Sequence, residues 1–189
     1  MANVDRPNGF KPVGTLSGAP WEGTVRAIGV ADGADIYIGD PVNLASGLAA
    51  PGATNDAAFL GVAVGFGKFE KDGLTPTGPF NPANLNSDGL YYDDSASTHT
   101  EWVCFYVPAD DVIFEVQTAT ALTKVVGDTA DLSYTAGNTA TGVSAAEITT
   151  ASNADVNIVG KVLRPDNEET LVNGRYLVMF TRAEQAFHA

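Results

Sequence analysis

Cysteine and histidine are nearly absent from this chain of 189 residues. Cys104 is the single cysteine, so no disulfide can form within the chain. The two histidines, His99 and His188, are not accompanied by a G-x-S-x-G segment that would present a nucleophilic serine. A zinc site built from thiolates and imidazoles would need more of both residues. We therefore expect no catalytic residues, no metal site and no cofactor, and we expect the chain not to be an enzyme.

Positive charge is also scarce. Ten lysines and arginines stand against 23 aspartates and glutamates, which gives a net charge of −13. A surface of this sign repels phosphate backbones and anionic lipid headgroups. Nucleic acid and membranes are therefore not expected as partners.

Long hydrophobic runs are missing as well. The longest nearly apolar stretch, residues 57–67, is too short to cross a bilayer as a helix. The first residues contain no basic region followed by an apolar one, so a signal peptide is not expected. We expect a soluble protein that is made in a cytoplasm. Cys104 lies in the apolar run 102–106, which is typical of a buried structural thiol.

The residues that are present favour a β fold. The chain has 44% hydrophobic and 17% charged residues, a composition that does not favour global disorder. Its 20 glycines and 10 prolines indicate many turns. Short β-like runs occupy residues 24–30, 36–38, 41–44, 58–66, 102–107, 112–116, 156–163 and 176–181. Only residues 118–125 and 182–187 carry a weak helical signal. We predict a mainly β fold, a compact small barrel or sandwich with little helix.

Two segments differ from this pattern. Residues 1–22 contain frequent prolines and glycines with single apolar residues between them. This predicts an extended N-terminal arm that lies on another surface, and the alternative is a segment folded back on its own domain. Residues 23–189 then form a single β domain, interrupted by a long loop at about 68–100 that is either an ordered excursion or a partner contact.

Glu115 stands in the predicted strand 112–116, on the face that alternates with Phe114 and Val116. One interpretation is a polar residue on a strand that is wet on one side. The other is a contact between subunits, in which Glu115 pairs with an arginine such as Arg164. The sequence leaves both open.

Several segments together resemble a known family. They are VDRPNGFKPV at 4–13, GAPW at 18–21, GDPV at 39–42, LGVAVGF at 60–66, ADDVIFEVQ at 109–117 and LRPDNE at 163–168. In this order they are similar to segments of the head decoration, or capsid cement, proteins of tailed bacteriophages. The resemblance covers most of the chain, although the loop at 68–100 is longer than expected for that family.

The resemblance implies a structural virion protein on the outer surface of the capsid. Such a protein binds the major capsid protein, stabilises contacts between neighbouring capsid subunits and commonly forms a homotrimer. The arm would supply the contacts, with aromatic anchors in grooves and basic side chains on capsid carboxylates. The residues expected to bind the capsid are Arg6, Pro7, Phe10, Lys11, Val13 and Trp21.

Two other classes of function remain open from the sequence. A protein of the phage tail or fibre that binds carbohydrate would need exposed aromatic rings, for which Tyr91 and Tyr92 are the candidates. A hydrolase that uses paired acids would draw on Asp93-Asp94 and Asp110-Asp111. Because 23 acids make neighbouring pairs common, we interpret these pairs as solvated surface carboxylates, with opportunistic Ca²⁺ or Mg²⁺ at Asp93-Asp94 as the alternative.

Overall fold

The prediction of a mainly β fold is confirmed. The computed structural model describes residues 3–53, 58–68, 91–95, 102–150, 153–168, 170–181 and 185–186. Antiparallel sheets pack there as a sandwich. Within these ranges the helical structure is a 3-10 turn at Trp21–Thr24, and no helix has the length and apolar character needed to cross a membrane.

The described part of the chain contains thirteen strands. They are β1 (Lys11–Thr15), β2 (Arg26–Gly29), β3 (Ile36–Tyr37), β4 (Pro41–Ala45), β5 (Leu48–Pro51), β6 (Phe59–Lys68), β7 (Tyr91–Tyr92), β8 (Trp102–Pro108), β9 (Val112–Gln117), β10 (Thr129–Ser133), β11 (Glu147–Thr150), β12 (Val156–Lys161) and β13 (Arg175–Phe180).

These strands form two large sheets and one small one. The six-stranded sheet has the order β1-β9-β13-β12-β10-β11, the five-stranded sheet the order β2-β8-β6-β4-β5, and β3 pairs with β7. The five-stranded sheet is strongly curved, so that its two edge strands, β2 and β5, approach each other. Val30, which follows β2, forms a parallel bridge with Ala49 of β5, and the Ala31 N–H donates to the Ala49 carbonyl at 2.8 Å. The fold therefore combines sandwich packing with a strongly curved sheet.

Two hydrophobic cores follow from this arrangement. The first lies between the large sheets and joins Phe114 and Val178 of one to Val62 and Val107 of the other. The second is lined by residues of the curled sheet and includes Cys104. Cys104 is fully buried, and burial raises the pKa of its thiol. The predicted buried structural thiol is confirmed.

The N-terminal segment is not a free arm over the residues that the structure describes. Lys11–Thr15 forms β1, which pairs antiparallel with β9 at the edge of the six-stranded sheet. Phe10 is only 1% exposed and lies in the first core, with its ring 5.4 Å from that of Phe180 and 6.4 Å from that of Phe114. Burial of an aromatic ring is a large gain, so the segment folds back on its own domain. Residues 10–15 therefore match the alternative that the sequence left open, a segment folded back on its own domain, and an extended arm is not shown.

A close crossing of two backbones fixes where this segment enters the core. The Phe10 N–H donates to the Gly39 carbonyl at 2.9 Å. Gly9 and Gly39 both have positive φ, 61° and 91°. A Cβ on Gly9 would collide with the Gly39 carbonyl oxygen, and one on Gly39 would collide with the Asn8 carbonyl oxygen. Glycine is needed at both positions.

Other segments differ from expectation or lie outside the described residues. The weak helical signal at 118–125 is wrong, because these residues are irregular. Leu122 is buried there, and its carbonyl accepts a hydrogen bond from the Tyr176 hydroxyl at 2.9 Å. The segment 182–187 and the loop at 68–100 lie mostly outside the described residues, but Tyr91–Tyr92 is described and forms β7.

Truncation of Phe10 tests whether this segment belongs to the body. Phe10→Ala should lower the free energy of unfolding by about 3–5 kcal/mol, because it removes a ring from a closed aromatic cluster. The measurement is urea denaturation followed by near-UV circular dichroism. Leu16→Ala is the control, since Leu16 is 63% exposed. Equal stability of the two variants would contradict the buried position of Phe10.

Candidate binding surface

Most of the residues expected to bind a partner remain at the surface, although Phe10 does not. Arg6 and Lys11 are exposed, Val13 is 42% exposed, and Pro7 is half-buried. Trp21 is half-buried and packs against the first core. The structure thus holds the predicted set on one continuous segment whose buried member, Phe10, fixes it to the body.

A shallow groove, which we call the N-terminal groove, lies along residues 13–22. Val13 and Trp21 line it, and Leu16 is exposed within the same segment. Local hydrogen bonds shape the turn: the Thr15 hydroxyl donates to the Ala19 carbonyl at 2.9 Å, and the Thr24 hydroxyl donates to the Trp21 carbonyl at 2.6 Å. The groove is therefore formed in the isolated chain.

Glu115 is the centre of an ion-pair cluster on the outer face of the six-stranded sheet. Phe114 and Val116 point into the first core, so Glu115 points outward, directly across from Lys11 on β1. Arg164 donates to both oxygens of Glu115, at 3.2 and 2.8 Å, and Arg175 donates to Oε1 at 3.0 Å. Glu115 is 6% exposed.

The predicted pairing of Glu115 with Arg164 is present, but it is a contact within one chain. The loop after β12 brings Arg164 over β9 of the same domain, so this pair forms without a second subunit. Arg175, the first residue of β13, was not foreseen as a second partner. Its position next to Glu115 follows from the pairing of β13 with β9, which the sequence alone does not reveal.

Gln117 binds residues near the start of the chain to the same face. Its side-chain oxygen accepts a hydrogen bond from the backbone N–H of Arg6 at 3.1 Å. Its side-chain amide donates to the Asp5 carboxylate at 3.0 Å and to the Glu147 carboxylate at 2.8 Å. Asn3 adds a reciprocal pair with the backbone of Glu168, each bond 2.8 Å long. Sequence reasoning missed Gln117, although its alternation with Glu115 on β9 placed both on one face.

These side chains surround a small depression, which we call the basic pocket. Its charged lining consists of Arg6, Lys11, Arg164 and Arg175 around Glu115. Four of the ten basic residues of the chain therefore meet at one place. In a protein with a net charge of −13, this is a local reversal of sign.

Asp40 is a buried carboxyl that the sequence did not single out. It is 0% exposed, and burial raises its pKa from the ordinary value of 3.8 to about 7. Hydrogen bonds, among them one from the Tyr37 N–H at 2.8 Å, only partly offset this effect. Asp40 follows Gly39, so it lies at the crossing that positions Phe10.

The residues considered for sugar binding do not form an exposed two-ring platform. Tyr92 is fully buried, and Tyr91 stacks on Tyr37 with ring centroids 4.7 Å apart. Their hydroxyls donate to Asp94 at 3.1 Å and to Asp93 at 3.4 Å. In the described ranges, the His, Cys, Asp and Glu side chains form no group of three that could hold a metal ion.

Comparison of the chain with protein-family models, with curated proteins and with solved structures finds no match in any of the three.

Removal of the Glu115 charge tests the ion-pair cluster. Glu115→Gln keeps the shape of the side chain but leaves two arginines without their carboxylate. We expect the free energy of unfolding to fall by about 1–3 kcal/mol. Glu22→Gln is the control, because Glu22 is exposed, and it should change stability by less than about 0.5 kcal/mol. Equal stabilities in chemical denaturation would contradict the central role of Glu115.

Asp40 predicts a specific dependence of stability on pH. Because its folded-state pKa of about 7 lies above its ordinary value of 3.8, its contribution to stability is present at low pH and is lost as pH rises toward 7. Asp40→Asn has no such titration, so its stability relative to the wild type should improve between about pH 4 and pH 7. Urea unfolding across this range measures the difference, and a difference that stays constant with pH would refute the assignment.

Proposed function

We propose that this protein is a decoration, or cement, protein that binds the outer surface of a phage capsid. It stabilises contacts between major capsid subunits and works as a structural component of the virion. The ordered set of family-like segments supports this proposal. The observation that carries it is the N-terminal groove, because Val13 and Trp21, two of the residues that the resemblance assigns to capsid contact, line a surface that is already formed.

The mode of contact differs from that of an arm that orders on binding. Phe10 is buried in the body, so Val13 and Trp21 of the groove, with the exposed Leu16 of the same segment, supply the apolar contact with the capsid. A preformed surface loses less conformational entropy on binding than a flexible segment does.

Side chains, rather than strand addition, make the contact at this edge. β1 is an edge strand, and exposed edges invite pairing with other strands. Pro12, the bulge at Val13 and the charge of Lys11 all oppose such pairing. The groove therefore binds a surface whose apolar side chains enter it.

Several copies strengthen a weak single contact. In a homotrimer, three grooves would act together. Once one groove is bound to the capsid, the other two are held near their capsid sites at a high effective concentration. Affinity for the assembled shell then exceeds affinity for a single capsid subunit without any further contact.

Co-sedimentation with empty, mature shells of the source virus tests this function. Val13→Asp/Leu16→Asp places one charge in the groove and one on the exposed residue of the same segment, and it should weaken binding at least about tenfold. Deletion of residues 1–22 is unsuitable, because it would remove β1 and Phe10 from the body.

The matched control is Val125→Asp/Val126→Asp. These residues are also exposed, at 62% and 70%, and lie outside the groove. The control should bind the shells as the wild type does. No saturable binding of the wild type, or equal binding of both variants, would overturn the proposal.

A further inference from the structure

The basic pocket has a net charge opposite to that of the whole protein. Arg6, Lys11, Arg164 and Arg175 contribute four positive charges and Glu115 one negative charge, so the lining carries +3. The chain as a whole carries −13. A concentration of cations within an acidic protein attracts an anionic group to this one place.

The arginines of the pocket have donors to spare. Arg164 donates two N–H groups to the Glu115 carboxylate and Arg175 donates one. Each guanidinium has about five N–H donors in all. The side chains of Arg164 and Arg175 are 47% and 27% exposed. A second carboxylate can therefore reach them while Glu115 stays in place. Glu115 itself shows the geometry in which these arginines receive one.

Exposed aliphatic residues lie in the segments beside the pocket. Val4 lines an adjoining depression together with Arg164 and Arg175. Leu163 precedes Arg164, and Leu171 and Val172 precede Asn173 of that depression. The exposed fractions of Val4, Leu163, Leu171 and Val172 are 61%, 92%, 42% and 48%. The Asn3 side chain donates to the Val172 carbonyl at 3.0 Å, which brings the segment of Val4 to that of Val172. These four make up half of the eight large hydrophobic residues exposed among the described residues. Exposed apolar surface next to cations is typical of a protein-binding site.

Nearby acids limit how much negative charge the pocket can take. Asp5 and Glu147 are both bound to the Gln117 amide, and Asp166 lines the adjoining depression with Arg164 and Arg175. A dense polyanion would meet these carboxylates and the overall charge of −13. A single carboxylate meets less of this repulsion than a polyanion does.

We propose that the basic pocket binds an aspartate or glutamate side chain on an aliphatic segment of a partner protein. The carboxylate contacts Arg6, Lys11 and the free donors of Arg164 and Arg175, and the partner's neighbouring aliphatic side chains pack on the exposed aliphatic residues beside the pocket. This inference does not depend on the capsid proposal. Arg6 and Lys11 were also expected to bind the capsid, but the basic pocket shares no lining residue with the N-terminal groove that carries that proposal, and the inference states the chemistry of the bound segment rather than its source.

Selection of a random short-peptide library against the full-length protein tests the inference. Peptides bound by the wild type should be enriched in an acidic residue beside leucine, isoleucine or valine. The most enriched peptide, synthesised with its acid and with the corresponding amide, should bind at least about tenfold more tightly as the acid. Its affinity should fall as salt is raised.

Variants connect the peptide to this pocket. Arg6→Ala/Lys11→Ala keeps Arg164 and Arg175, which donate the hydrogen bonds to Glu115, and it should weaken binding about tenfold. Arg164→Ala should weaken it similarly, and thermal melting shows whether each variant is folded. Lys124→Ala removes one positive charge outside the pocket, as many as Arg164→Ala removes within it, and should bind normally.

Three results would overturn the inference. They are the recovery of no peptides, peptides without acidic enrichment, and equal binding by wild type and the folded Arg6→Ala/Lys11→Ala variant. Shell binding in the capsid experiment is read separately, since that experiment changes Val13 and Leu16 and leaves the basic pocket untouched.

Discussion

The burial of Phe10 between the two large sheets is the contact on which the rest of the arrangement depends. Its ring packs against Phe114 and Phe180, and Phe180 in turn lies 4.9 Å from Phe59 between ring centroids. This aromatic cluster joins the start of the chain to strands from its middle and end. Once Phe10 is fixed, the following residues are in place to pair with β9 as β1.

Strand β9 links the buried position of Phe10 to the surface of the protein. Its alternation sends Phe114 and Val116 into the core and Glu115 and Gln117 to the outer face. Glu115 gathers two arginines, and Gln117 holds the residues before Phe10. The same short strand therefore organises the first core on one side and the basic pocket on the other. Both proposed binding surfaces adjoin the segment that Phe10 anchors.

Much of the β structure could be predicted because it has a strong local signal. Strands β6, β8 and β9 are rich in β-branched and aromatic residues, and the predicted runs coincide with them closely. Strands β5, β10 and β11 are built largely from alanine, threonine and polar residues, and no separate run was predicted for them. Their pairing depends on neighbouring strands rather than on their own propensity.

The candidate surfaces were predictable in part. The segment 1–22 was recognised as unusual, but its prolines and glycines conceal a strand, and the destination of Phe10 depends on rings more than a hundred residues away. The pairing of Glu115 with Arg164 was foreseen from charge and position. Whether it joined one chain or two depended on the path of the loop after β12, and the buried Asp40 depended on a backbone crossing that no local pattern marks.

Backbone hydrogen exchange of the N-terminal segment tests the central claim most directly. The Phe10 N–H is bonded to the Gly39 carbonyl and the Leu16 N–H to the Asp111 carbonyl, at 2.9 and 3.0 Å. If residues 10–15 are a strand of the body, both amides should exchange with protection comparable to that of β9. Exchange at the rate of an unstructured peptide, with β9 still protected, would contradict the account and restore a free N-terminal arm.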